Sequence, residues 1–310
     1  MPAFVPVTDC WVCGGTRLDR LHDAPFHLAE FTHEDPDLAA YTGLHADIMR
    51  CRDCGFGQPS MLPSLPEYFD RMYNQRWSAD WVAHEHEAGY KDLIFRDILA
   101  SLDSRVREPP RRLLDVGAHA GRFVALAGAQ GWIAEGLELN TRTAAFAAEV
   151  SGGRVRHGNL FTADLLAGSY DAVTLTDVLE HLPEPRKALR RAYECLRPGG
   201  WIAIKVPNAP AQRAKERTIA ALGRGYAPRL AGNLVHVNHF SSSALARALR
   251  EERFSSVSVH SAAPEFPEGG GIKHGCDRVA RSALYYVSRA IPGGHHTLLA
   301  MNLQAYGRRS

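Results

Sequence analysis

The sequence predicts an α/β protein: a doubly wound, mostly parallel sheet of seven strands, with a small metal-held module ahead of it. Three observations carry that expectation. From residue 111 to the end, short apolar runs alternate with helix-period segments, the pattern of a parallel sheet covered by helices on both faces. The first apolar run ends in a tight glycine turn, "LLDVGAHAG", that opens directly into a helix. Residues 1–60 are rich in Cys, His, Pro and Gly, show little periodicity, and hold four cysteines in two C-x-x-C pairs.

Taken in order, residues 1–60 read as the metal module. Cys10 and Cys13 stand in "CWVC", Cys51 and Cys54 in "CRDC", and a glycine follows each pair, leaving room for a turn that points backbone N–H groups at sulfur. Four thiolates suit tetrahedral zinc, and a fourth protein ligand leaves no open position, so the zinc is structural. The competing arrangement has His22, His27, His33 or His45 replacing a cysteine.

Residues 61–107 read as a helical linker contributing to the substrate cleft. It runs from "LPEYFDRMYNQRW" to "KDLIFRDILASLDSRV", with Leu93, Ile94, Ile98 and Leu102 in a helical pattern. "REPPRR" ends it, because proline removes a donor and clashes inside a helix. Residues 108–310 then supply the sheet. The strands are "RRLLDV", "WIAEGLEL", a weak "GRVRHG", "YDAVTLTDV", "WIAIKVP", "SSVSVHS" and "TLLAMNLQAY". The helices between them include "GRFVALAGAQG", "TRTAAFAAEV", "EPRKALRRAYECL" and a serine-capped "SSSALARALREERF", with a further helical stretch over 276–291. Residues 207–240 read as an irregular insertion that leaves the carboxyl edge of the sheet and covers a substrate.

Composition narrows the function classes. Hydrophobic residues make up 45% and charged residues 23% of 310, and the formal charge is +2. A broad nucleic-acid or membrane footprint needs more basic charge on one face. No run of 18 apolar residues is present, and the first 15 residues lack the basic and apolar regions of a secretory signal, so the expectation is a cytoplasmic protein without membrane or nucleic-acid partners.

Ligands of such folds bind beyond the carboxyl ends of the strands, where the glycine turn lies. Gly117 and Gly121 allow close backbone approach, but a strict G-x-G-x-x-G is missing because His119 stands at the middle position. No G-K-[ST] follows, so the turn is not a phosphate loop of the Walker type. Asp115 ends the first strand and Glu138 the second, where a carboxylate can accept both hydroxyls of a ribose. Asn159, in "HGNLF", is placed to bond an adenine edge. The site reads as one for adenosine carrying a small charged group.

Here the sequence resembles class I S-adenosylmethionine-dependent methyltransferases. "LLDVGAHAGRF" looks like their first motif, "GLELN" like their second-strand acidic motif, and residues 158–208 like the block from their fourth to their fifth strand. The resemblance implies S-adenosylmethionine as cofactor. It would put Gly117, Ala118 and Gly121 along its methionine part, Glu138 on the ribose and Leu139 against the adenine. Asn159 and Leu160 would fix the adenine, and Thr176, Asp177 and Val178 would pass close to the sulfonium. Asp115 would shape the loop.

Methyl transfer to an oxygen or carbon acid needs a base, and histidine titrates near neutrality. His181 in "LEHLP" and His236 and His239 in "LVHVNHFS" are the candidates. The N-P-P-Y type motif of amino methyltransferases is absent, since that position reads "TDVLEH". A zinc ribbon ahead of this fold is similar to small-molecule methyltransferases of secondary metabolism and deoxysugar pathways, and Tyr68, Tyr73 and Trp77 match their tyrosine-rich helix, which implies a small-molecule acceptor. Two other readings stay open: an rRNA base methyltransferase, disfavoured by nine acidic residues in the module, and a degenerate non-catalytic fold binding a protein partner, for which His119 would be the mark.

Overall fold

The computed structural model describes residues 2–74, 79–221, 232–266 and 272–310. Seven strands form the main sheet: β6 (Arg111–Val116), β7 (Trp132–Glu138), β8 (Val155–His157), β9 (Tyr170–Thr176), β10 (Leu196–Pro207), β11 (Phe254–Ser261) and β12 (Asn302–Arg309). Their spatial order is β11-β12-β10-β9-β6-β7-β8. β8, β7, β6, β9 and β10 run parallel, while β12 is antiparallel to both neighbours. The order reverses between β6 and β9, so a crevice opens beyond their carboxyl ends. The central strands read as continuous apolar runs because helices bury both faces: Leu113, Leu114, Val173, Leu175, Ile202 and Ile204 are all fully buried.

The covering helices are α4 (Asp92–Arg105), α5 (Arg122–Ala129), α6 (Thr141–Ser151), α7 (Pro185–Cys195), α8 (Ala209–Ala221), α9 (Ser242–Glu251) and α10 (Ile272–Ala290). Local chemistry sets several of their ends. Asn140 and Ser241 cap α6 and α9, accepting the N–H groups of Thr143 and Ala244. Pro185 opens α7, where its missing N–H costs nothing. Two details differ from the sequence expectation. Residues 207–240 are not wholly irregular, since α8 occupies thirteen of them. The final strand begins at Asn302, with a short bridging turn ahead of it. Helix α4 packs into the main domain: Ile94, Ile98, Leu99 and Leu102 share one core with Phe123, Val124 and Trp132.

Residues 1–67 hold β1 (Phe4–Pro6), β2 (Leu18–Pro25), β3 (His45–Cys51), β4 (Gly57–Pro59), β5 (Met61–Pro63) and the one-turn α1 (Pro36–Ala39). β2, β3 and β4 form a three-stranded antiparallel sheet, and β1 pairs with β5. Cys10, Val12, Cys51 and Phe56 belong to the same hydrophobic cluster as β10 and α9, so the module is docked on the main domain. Gly57 and His239 exchange backbone hydrogen bonds across this joint. A side chain at Gly57 would sit 2.8 Å from the His239 Cβ, so only glycine allows the approach. α2 (Tyr68–Asn74) and α3 (Ala79–Ala88) then lead over the crevice to α4. No helix among the described residues is long and apolar enough to cross a membrane.

Candidate functional site

The crevice beyond β6, β7 and β9 is a cleft of about 730 Å³. Gly117, Glu138, Leu139, Asn159, Leu160, Thr176, Asp177 and Val178 line it, together with Tyr68, Tyr73, His181 and His236. Asp115 and Ala118 line a smaller adjoining cavity that shares Gly117, His119 and Thr176 with the cleft. Gly121 lines neither; it sits at φ 76° as the residue that starts α5. Trp77 lies outside the described residues.

The glycine turn follows from two demands. Gly117 takes φ 72°, and a Cβ there would lie 2.4 Å from a Val178 methyl. A side chain is therefore excluded on both counts. His119 adopts φ 47° without glycine, and its backbone N–H donates to Glu138 Oε2 at 2.9 Å. Glu138 Oε1 accepts from Asn140 N–H at 2.8 Å. Burial pushes the Glu138 carboxyl up, and these N–H groups act against it. The carboxylate is thereby fixed at the end of β7, on the cleft wall. Asn159 departs from expectation in part. Its Oδ1 accepts the N–H groups of Phe161 and Thr162 and the Thr162 hydroxyl, so only its amide nitrogen is left for a ligand.

Asp115 is fully enclosed. Burial raises it to about 7, opposed by a 2.6 Å hydrogen bond from the Thr174 hydroxyl. It lines the smaller cavity beside the glycine turn.

A charged network that sequence reasoning missed forms one end of the cleft. Lys205 Nζ lies 2.5 Å from Asp177 Oδ1 and 2.6 Å from Glu265 Oε1. Lys91 Nζ lies 3.3 Å from Asp177 Oδ2. The Tyr90 hydroxyl donates to Glu85 Oε1 at 2.6 Å, and His119 Nδ1 is 3.3 Å from Glu85 Oε2. Burial alone would raise Asp177, but the two ammonium groups outweigh it and hold its carboxyl well below the usual range. Tyr90, Lys91 and Glu85 border both the cleft and the smaller cavity. No local motif marks them; the end of α3 carries Glu85, and the turn between α3 and α4 carries Tyr90 and Lys91, to the glycine loop.

At the other end, His181 Nδ1 lies 2.6 Å from the Val235 carbonyl and 2.5 Å from the Tyr73 hydroxyl. The Tyr73 hydroxyl also donates to that carbonyl at 3.0 Å. A carbonyl can only accept, so Nδ1 carries the proton and Nε2 is the basic atom. The His236 ring stands edge-on to His181, with centroids 4.7 Å apart. Glu180 is 1% exposed behind them, and burial pushes its carboxyl far up.

His239 is the correction. It does not reach the cleft. It is 9% exposed, its ring packs at 5.8 Å from His22, and it lines a small neighbouring cavity with Arg213 and Glu216, which shares His236 with the cleft. Burial lowers it to about 3, so it stays neutral. Three positions beyond His236 in an extended segment, its ring faces the module.

The four cysteines meet as the spacing required, all sulfur atoms lying within 4.8 Å of one another. Cys10–Cys54 and Cys13–Cys51 are each 3.5 Å apart. Four sulfurs about 2.3 Å from one zinc lie about 3.8 Å from each other, so the set needs little adjustment. A hydrogen bond from Cys54 and backbone N–H groups of Cys13 and Val12 pull Cys10 down to about 5, against its burial. None of the four histidines considered as substitutes belongs to this cluster.

With this geometry in view, comparison with known proteins is informative. Residues 84–259, more than half the chain, match the family model described as Methyltransferase domain, and the chain belongs to that family. It is 26% identical over 169 residues to a ubiquinone biosynthesis O-methyltransferase of Burkholderia pseudomallei, covering 52% of this chain and 72% of the relative. The corresponding enzyme of Chromobacterium violaceum is 29% identical over 168 residues, covering 51% and 67%. Among solved structures, Haemonchus contortus phosphoethanolamine N-methyltransferase 2 with S-adenosyl-L-methionine aligns over 94% of this chain and 68% of its own, at 14% identity and TM-score 0.52. Burkholderia thailandensis 1,6-didemethyltoxoflavin-N1-methyltransferase with S-adenosylhomocysteine aligns over 86% and 96%, at 18% identity and TM-score 0.50. The protein is an S-adenosylmethionine-dependent methyltransferase of class I fold.

Proposed function

We propose that the chain transfers a methyl group to an oxygen or carbon of a small molecule, a secondary metabolite or nucleotide sugar, with a histidine taking the acceptor proton. The observation that carries this reading is the place of His181: it lines the cleft, with Nδ1 held by the Val235 carbonyl and the Tyr73 hydroxyl, so its ring is oriented toward an acceptor bound there. His236 beside it is the second candidate. The two sequence relatives are named as O-methyltransferases, which favours oxygen, whereas the two similar solved structures are of N-methyltransferases.

The residues present fit the cofactor. Gly117 leaves a cradle that any Cβ would fill, Glu138 supplies the carboxylate for a ribose, and Leu139 and Leu160 offer apolar surface for adenine. Tyr90 and Lys91 would meet a carboxylate at the glycine-loop end, and Asp177 and Glu85 an ammonium. Bound there, S-adenosylmethionine supplies an electrophilic methyl at its sulfonium. The chain's own part is to align the acceptor between Tyr73, His181 and Val178, to exclude water, and to accept one proton at a histidine nitrogen. The cysteine cluster would hold one structural zinc that locks the module onto β10 and α9.

The test is initial rates with a panel of phenols, catechols and keto sugars as acceptors. His181→Asn should lower kcat by about a hundredfold, within the range ascribed to a positioned base, with the KM for S-adenosylmethionine unchanged. Equal rates in His181→Asn, His236→Asn and wild type would remove the histidine from the chemistry.

A further inference from the structure

A second large concavity lies outside the reaction cleft, between the second cysteine knuckle and helices α8 and α9, with a volume of about 790 Å³. Five arginines line it, Arg50, Arg52, Arg213, Arg247 and Arg250, against only two carboxylates, Asp53 and Glu251. Several of these charges are already matched. Arg52 is held by Asp19 and Asp53 by Arg17. Arg247 pairs with Glu251 at 3.3 Å. Arg50, Arg213 and Arg250 make no side-chain hydrogen bond or ion pair with any described residue.

Their surroundings are polar and convergent. Gly55 brings the two sides of the groove together: a Cβ there would lie 3.8 Å from Ser241 Oγ and 3.9 Å from an Arg50 guanidinium nitrogen. The Ser241 and Ser243 hydroxyls, 3.1 Å apart, both line the groove. Half-buried Arg213 carries a cost that the described residues offset only in part. Burial lowers it, Arg50 and Arg217 lower it further by repulsion, and Glu216 compensates only in part. Guanidinium groups gathered at such a cost match the fork geometry and charge of phosphate oxygens.

We propose that this groove binds a phosphate-bearing anion, with a diphosphate as its minimal ligand and Arg50, Arg213 and Arg250 as its donors. Three unmatched positive charges suit a diphosphate, and the volume falls in the range of small-molecule sites. The site is separate from the methyl-transfer cleft and does not depend on the acceptor assigned there.

The test uses the full-length, zinc-loaded protein with S-adenosylhomocysteine present, so that the reaction cleft is filled. Calorimetric titration with inorganic pyrophosphate at constant ionic strength should show saturable one-to-one binding. Arg213→Gln and, separately, the exposed Arg250→Gln should each weaken it by about tenfold, the loss expected for one charge-assisted contact. Lys187→Gln, on the outer face of α7, should leave it unchanged. A nucleoside diphosphate arm separates the sources: tighter binding than pyrophosphate marks a nucleotide ligand, and equal binding marks the phosphates alone. Three results would overturn the proposal. One is the absence of saturable binding below millimolar pyrophosphate. Another is zinc loss from the arginine variants with pyrophosphate affinity unchanged, which would make the arginines counter-ions of the cysteine cluster. The third is affinity that grows with the length of an RNA oligonucleotide while pyrophosphate fails to compete.

Discussion

Single residues decide how the cleft is built and where it is vulnerable. Gly117 must be glycine because φ 72° and Val178 both exclude a side chain. Gly117→Ala should weaken S-adenosylhomocysteine binding by about tenfold or more, from the left-handed strain alone, as read by titration. His239 makes a different prediction. Its folded pKa lies far below its unfolded value, as does that of His119, which burial also lowers to about 3. Each stays neutral when folded and must gain a proton on unfolding below about pH 6.5. Their stability contribution is complete above that pH and is lost as pH falls toward 3, by about 1.4 kcal/mol per pH unit for each. Chemical denaturation between pH 7 and pH 5 should show this decline, and His239→Asn should make it shallower. At this scale the sequence was legible for groups at strand ends, because chain position fixes them: Asp115, Glu138 and Asp177 lie where the strands stop. It was not legible for His239. Two residues separate it from His236, and in extended chain only the backbone path past Gly57 decides which ring faces the cleft.

At the scale of elements, the alternation of apolar runs and helices was enough for all seven strands, including the three-residue β8. Helix α8 was missed because "APAQRAKERTIAA" has Ile219 as its one large apolar residue and a proline near its start. The charged end of the cleft was hidden for a related reason: Tyr90 and Lys91 act through a turn between helices, which no periodicity reports. The module was legible from its cysteine spacing, whereas its docking was not, since Phe56 and Val12 bury against α9 and β10 only once the whole chain is folded. That docking gives a prediction. Elemental analysis should find one zinc per chain, and cobalt exchanged into the site should show the thiolate-to-metal absorption of a four-sulfur centre. Cys51→Ser should lose the metal and lower the thermal midpoint of the whole protein, because Cys51 is 0% exposed within the shared core. An unchanged midpoint would mean that the module is independent of the sheet.

Across the whole molecule, three parts converge on one cleft: the sheet edge supplies Gly117, Glu138 and Asp177, the arm of α2 and α3 supplies Tyr73, and the turn into α4 supplies Tyr90 and Lys91. The cleft is thus walled by elements far apart in sequence, and a ligand bound in it should stiffen the arm against the sheet. The account stands on that cleft receiving the cofactor through the Glu138 carboxylate. Its most direct test is calorimetric titration of S-adenosylhomocysteine into wild type and Glu138→Ala. The account predicts one-to-one micromolar binding to wild type, weakened at least about tenfold in the variant by loss of the charge-assisted ribose contact. Equal affinity in the two proteins, or no binding to wild type, would contradict it.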